Sequence, residues 1–274
     1  MYPNYHGYFA KVEDFKVSDG FFSEMADFDY NNEADYEFSD SYKQLVSQKY
    51  REDASKLAEE MEMDGSMAYF EAIKTAESEV IRNSLAFGSA QSGLKYADDM
   101  QAYFDAFNGI STDEDNNKVI AETFAKVQKV SAGQPSPKFE NFENHAGGTT
   151  SLDDLKGKYT YIDVWATWCG PCIAEIPSLK KVEEQFHGKN IQFLSLSIDD
   201  AKDHDKWVKM VTDDELGGIQ LLGDNAWETQ FVQDYLINGI PHFILLDPEL
   251  NIVKYNAPRP SNPKLIELFV ELGI

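Results

Sequence analysis

The stretch Tyr161-Ile162-Asp163-Val164-Trp165-Ala166-Thr167-Trp168-Cys169-Gly170-Pro171-Cys172 decides how the rest of the chain is read. It holds both cysteines of a 274-residue sequence. The apolar run up to Ala166 has the character of a buried strand. The segment after it, CIAEIPSLKKVEEQF, spaces its apolar residues as a helix does. The cysteine pair therefore sits at a strand-to-helix junction. The first turn of a helix presents unpaired N–H groups and a partial positive charge, and both favour a thiolate over a thiol. A cysteine so placed can fall from a pKa of about 8.5 to roughly 3.5–7.5. Cys169 is the predicted nucleophile, the first and more exposed of the two. Cys172, one turn on, is placed to resolve a mixed disulfide. Gly170 and Pro171 close the ring and start the helix.

The strand–helix alternation continues through IQFLSLSI, HDKWVKMV, IQLLG, AWETQFVQDYL and HFILLD, and DPELN marks a turn before a last strand, IVKYNA. A βαβα order predicts an α/β domain with a largely parallel sheet flanked by helices. NPKLIELFVELGI reads as a closing helix with Asn262 as its cap and Pro263 at its first position. SAGQPSP, residues 131–137, reads as a linker, since its prolines favour extended chain. Before it, apolar stripes at spacings of three and four predict helices. These stripes are Tyr42, Leu45, Val46, Tyr50, Leu57 and Met61; then Phe70, Ile73, Val80, Ile81 and Leu85; then Met100, Tyr103, Phe104 and Phe107; then Ile120, Phe124, Val127 and Val130. Residues 1–38, rich in aromatic and acidic residues without a clean period, read as an irregular arm. The organisation is thus an arm plus a mainly α-helical accessory domain over 1–134, followed by an α/β domain over 135–274.

Composition narrows the function. The chain carries 48 acidic against 24 basic residues, a net charge of -24. Nucleic acid is a poor partner for it, because phosphates demand clustered Lys and Arg. Two cysteines are too few for a disulfide-scaffolded domain. A zinc site needs about four ligands, and none of His6, His145, His187, His204 and His242 lies at a ligand spacing from the pair; no metal is expected. No stretch approaches the ~20 apolar residues of a membrane span, and the opening residues lack the basic start and apolar run of a signal peptide.

WCGPC at 168–172 resembles the active-site motif of the thioredoxin superfamily, and the resemblance extends along residues 135–274. Asp163 stands six residues before Cys169, where that family keeps a buried acid. Pro177 stands five after Cys172, where its helix is kinked. GIPHF at 239–243 is similar to its cis-proline loop, which makes Pro241 the implied cis residue. PSPKFENFENHAGGTTSLDDLKGK before the motif strand, and the insertion SIDDAKDHDKWVKMV, resemble the TlpA/ResA-like thiol-disulfide oxidoreductases. Residues 1–134 look loosely like the accessory domains that precede such modules in Bacteroides-type envelope proteins. Gly170-Pro171 between the cysteines resembles general thioredoxins rather than those cytochrome-maturation reductases that carry an acid there.

The resemblance implies a thioredoxin-like fold and a thiol-disulfide oxidoreductase that reduces protein disulfides and is recharged by an upstream membrane or soluble thiol donor. No cofactor is implied beyond the redox-active Cys169–Cys172 pair. It also implies a periplasmic or envelope location, with the cytoplasm as the alternative. Asp163, set among Tyr, Ile and Val, is expected to be buried with a raised pKa and to pass a proton to or from Cys172. Trp168, Gly170, Pro171, Ile240, Pro241 and His242 form the implied substrate rim, with the Ile240 backbone pairing with an extended substrate segment. His242 stands where thioredoxins usually have threonine; it either tunes the thiolate or bonds to solvent. Glu175 is expected on a solvated helix face. Two other classes stand beside this reading. One is a peroxiredoxin-like thiol peroxidase, although Ile162 and Ala166 replace the Pro and Thr of a Pro-x-x-x-Thr-x-x-Cys setting. The other is an interaction module whose helical domain carries the main role.

Overall fold

The computed structural model describes residues 28–97, 99–223 and 225–274. The chain divides into two compact units, Met1–Ile120 and Ala121–Ile274. The expected arm lies outside the described residues as far as residue 27. Its remainder is not irregular: Asn32 caps a short helix, α1 (Glu33–Phe38), by accepting from the Asp35 N–H. Each following helix also starts on a polar cap, as unpaired first-turn N–H groups require. Ser39 opens α2 (Asp40–Met61), Asp64 opens α3 (Gly65–Ile73), Ser78 opens α4 (Glu79–Gly93) and Asp99 opens α5 (Met100–Asn108). The last helix of this half, α6 (Glu114–Val127), contains the point at which the two units divide.

Most of the predicted stripes are core. Tyr42, Val46, Tyr50 and Ala54 are buried along α2, four residues apart, and Ile120, Phe124 and Val127 are buried along α6. Met61 and Val80 depart from the expectation and are exposed. Met61 falls at the last residue of α2, just before Glu62 turns into the left-handed region. Val80 lies in the first turn of α4, on the opposite side from Ile81 and Leu85.

In the second unit the strands are β1 (Phe142–Asn144), β2 (Thr149–Thr150), β3 (Tyr159–Trp165), β4 (Ile191–Ser197), β5 (Ile219–Leu222), β6 (His242–Leu246) and β7 (Ile252–Lys254). They form one sheet in the order β2-β1-β5-β4-β3-β6-β7. Helix α7 (Gly170–Gln185) connects β3 to β4, and α8 (His204–Asp213) connects β4 to β5. These crossovers make β3, β4 and β5 parallel. The flanking strands run antiparallel; in β1–β2 and β6–β7 the connection is a hairpin, too short for a parallel return. The sheet is therefore mixed, with its parallel part at the centre.

Alternate residues of β3 serve opposite faces, as strand pleating demands. Tyr161 packs with Leu179, Phe193, Phe243 and Phe269 on one side; Ile162 and Val164 pack with Leu196, Trp207, Phe231 and Leu246 on the other. Two expectations shift. AWETQFVQDYL supplies only a single 3-10 turn and the five-residue α9 (Gln230–Asp234). The closing helix α10 (Lys264–Glu271) starts one residue later than expected, although the Asn262 side chain still accepts from the Lys264 N–H at 3.0 Å. SAGQPSP is no free tether. Gly133 N–H donates to the Ile252 carbonyl, Ile252 N–H to that of Gln134, and Ser136 N–H to that of Leu250. Its backbone thus runs as an added edge beside β7.

Candidate active site

β3 ends at Trp165 in the middle of the sheet, and the chain turns through Ala166, Thr167 and Trp168 to reach α7. Cys169 is the N-cap of that helix, in extended conformation, and Pro171 stands in its first turn. The Cys172 N–H is shared between the Cys169 carbonyl at 3.1 Å and the Cys169 Sγ at 3.2 Å, so a first-turn donor of the helix is aimed at the sulfur. This is the local field that stabilises a thiolate once the pair is reduced. The two cysteines are joined in a disulfide, with Cα atoms 5.3 Å apart. In this oxidised form both are buried, at 4% and 2% exposure. The expected difference in accessibility is therefore slight, and what separates the two sulfurs is the capping position. Around them Trp168, Gly170, Pro171 and Ile173 are exposed.

The turn before Cys169 is held by a residue that sequence reading missed. Asp199, just beyond β4, is 1% exposed. Its carboxylate accepts from the Thr167 N–H at 2.9 Å, the Thr167 hydroxyl at 2.7 Å and the Ser197 hydroxyl at 2.7 Å. The parallel register that sets Trp165 beside Ser197 brings these groups together.

Asp163 is buried as expected, and its Oδ1 has no hydrogen-bond partner. Burial pushes its pKa up to about 8, reinforced by the charges of Glu175 and Glu183. Lys180, Glu183 and Gln220 share a narrow cavity of about 10 Å³ with it. Glu175 is not on a solvated face. It is 9% exposed, on the same stripe of α7 as Cys172, Leu179 and Val182. Its two carboxylate oxygens accept from the Ser261 N–H at 2.9 Å and the Ser261 hydroxyl at 2.8 Å.

The Ile240–Pro241 peptide is cis. Antiparallel pairing sets His242 opposite Val164, which brings the Pro241 loop beside the end of β3. Ile240 packs, partly buried, against the core cluster that contains both cysteines. His242 does not face solvent. It is buried, and its Nε2 lies 3.0 Å from the Tyr255 carbonyl, which can only accept, so Nε2 carries the hydrogen. Trp227, from the 3-10 turn after β5, completes the rim: its ring centroid is 6.3 Å from that of Trp168. Among the described residues, no three His, Cys, Asp or Glu side chains converge as a metal site would require.

Residues 132–255 match the AhpC/TSA family. The thiol-disulfide oxidoreductase ResA of Bacillus subtilis is 25% identical over 131 residues, 48% of this chain and 70% of ResA. The thioredoxin-like protein YneN of the same organism is 30% identical over 95 residues, 34% of this chain and 55% of YneN. A solution structure of a candidate thiol-disulfide oxidoreductase from Bacteroides vulgatus is 52% identical, with 52% of this chain and 91% of that one covered and a TM-score of 0.45. The half that carries the CGPC pair, capping a helix that leaves an inner strand of a mixed sheet, thus matches the AhpC/TSA family over residues 132–255 and is similar to proteins named thiol-disulfide oxidoreductases.

Proposed function

We propose that the chain reduces disulfides in other proteins, with the Cys169–Cys172 pair as its only redox group. The observation that carries the reading is the Cys172 N–H directed at the Cys169 Sγ. In the reduced state the Cys169 thiolate attacks one sulfur of a substrate disulfide. A mixed disulfide forms, and the substrate's other sulfur leaves as a thiolate and takes up a proton. Asp163 in its ionised form, which grows as pH approaches its raised pKa of about 8, accepts the Cys172 proton, and Cys172 attacks the Cys169 sulfur. The internal disulfide forms and the substrate's second thiol departs. Two electrons have passed from the cysteine pair to the substrate, with one proton from Cys172 by way of Asp163 and one from solvent. An upstream thiol donor, membrane-bound or soluble, returns them by the same exchange.

The exposed Trp168, with Trp227, Gly170, Pro171, Ile240 and Pro241, forms the surface on which the substrate segment lies. Gly-Pro between the cysteines supports a reducing potential, nearer thioredoxin's value of about -270 mV than DsbA's value of about -120 mV. The resemblance to ResA supports an envelope or periplasmic location, with the cytoplasm as the alternative. No described helix is long and apolar enough to cross a membrane.

The test is trapping, combined with a redox titration. Cys172→Ser leaves the nucleophile and its helix terminus in place but removes the resolving thiol. Partner proteins then accumulate as mixed disulfides that vanish with reductant, whereas Cys169→Ser traps none. Equal trapping by both variants, or a potential near that of DsbA, overturns the reading. A fast stoichiometric reaction of the reduced protein with hydrogen peroxide would replace it with the peroxidase.

A further inference from the structure

The helical unit holds a cleft of about 650 Å³ between α2, α3 and α4. That volume lies within the range of small-molecule sites. Arg51 is the one charged side chain among the described residues that line it. Elsewhere in this unit Lys43, Lys49, Lys56 and Lys74 each lie within 4 Å of a carboxylate. Arg51 forms no ion pair or hydrogen bond with any described residue.

The rest of the lining is rich in hydroxyl donors. Tyr69 is partly buried, and its hydroxyl makes no hydrogen bond to a described residue. Burial, opposed by the nearby Arg51 charge, pushes its pKa up to about 12, so at neutral pH it stays a protonated donor. The hydroxyls of Ser47 and Ser55 are likewise without described partners. Tyr36 donates to the Ser84 Oγ at 3.0 Å, which leaves the Ser84 proton free to point into the cleft.

A chain with twice as many acids as bases has thus assembled a concave site whose described lining residues bring one guanidinium, several hydroxyls and no carboxylate. A cation and hydroxyl donors with no carboxylate among the described lining residues suit an anionic ligand, and a guanidinium fork matches the paired oxygens of a carboxylate or phosphate. Hydroxyls, which donate and accept, match those of a sugar.

We propose that this cleft binds a small hydroxylated organic anion, its carboxylate or phosphate held by Arg51 and Tyr69 and its hydroxyls by the serines. The site contains no cysteine and stands independently of the redox reading.

Calorimetric titration of the full chain with glucuronate, glucose 6-phosphate and neutral glucose tests it. The expected result is one saturable site for at least one of the two acids, with glucose weaker by about tenfold or more. Which acid binds tells carboxylate from phosphate. Arg51→Gln is expected to weaken that acid by about tenfold, and Tyr69→Phe by a smaller factor. Both variants are compared with the parent by circular dichroism and melting temperature, since Arg51 is exposed and Tyr69 only partly buried. Absence of saturable binding by either acid, equal binding of glucose, or unchanged affinity in a folded Arg51→Gln protein would overturn the proposal.

Discussion

Glu175 holds Ser261 at two points, one carboxylate oxygen on its backbone N–H and the other on its hydroxyl. The pair ties the helix that begins at the cysteines to the loop leading into the C-terminal helix α10, across 86 positions of sequence. Hydrogen bonds to a buried charge contribute about 1.5–3 kcal/mol each. Glu175→Ala is therefore expected to destabilise the second unit by about 3 kcal/mol. Denaturant midpoints for that unit would show it, and an unchanged midpoint would mean that the two bonds add nothing.

Asp199→Ala strands the Thr167 N–H, the Thr167 hydroxyl and the Ser197 hydroxyl in a dry interior. Unsatisfied buried donors cost about 1–3 kcal/mol each. A loss of about 3 kcal/mol is expected, together with a changed equilibrium against glutathione, because Cys169 follows Thr167 by two residues. Loss of stability with an unaltered redox equilibrium would confine Asp199 to a structural role.

Asp163 makes stability depend on pH in a stated direction. Its folded pKa is raised to about 8, while an unfolded carboxyl titrates near 3.9. Below about pH 4 both states are protonated and the group contributes nothing. Between about pH 4 and pH 8 the unfolded state ionises while the folded state keeps its proton, so stability falls as pH rises; above about 8 the penalty is complete. Asp163→Asn removes that penalty. Its melting temperature is expected to exceed the parent's at pH 8 and to equal it at pH 4, while disulfide reduction slows. A constant difference across that range would argue against the raised pKa.

The exposed Trp168 and the half-buried Trp227 form an aromatic pair beside the nucleophile. Trp168→Ala is expected to raise KM for a protein disulfide by about tenfold, the factor that ~1.4 kcal/mol of contact energy represents. Turnover of a small soluble disulfide, which cannot span the rim, should change far less. Equal losses on both substrates would place Trp168 in the chemistry rather than in recognition.

The cysteine pair, the strand and helix around it, and the βαβ order that followed were legible because each rests on local pattern. WCGPC is contiguous, β3 is a continuous apolar run, and α7 repeats its apolar residues at helical spacing. The burial of Asp163 was legible for the same reason, since its neighbours in the strand are apolar. Glu175 was within reach: it falls on the stripe of Cys172, Leu179 and Val182. A charge in that stripe has no reason to be buried, however, until Ser261 arrives to satisfy it.

What tertiary structure decided was which distant segments meet. Asp199 reaches Thr167 through the parallel register of β3 and β4, Trp227 reaches Trp168 through the turn that follows β5, and the Tyr255 carbonyl accepts a hydrogen bond from His242 across a hairpin. SAGQPSP has the composition of a tether, but its N–H and C=O groups found an open edge beside β7. Single-residue patterns report periodicity and propensity. Hydrogen-bond partners and cleft walls depend on strand register and helix packing, and these are set only when the whole core is buried at once.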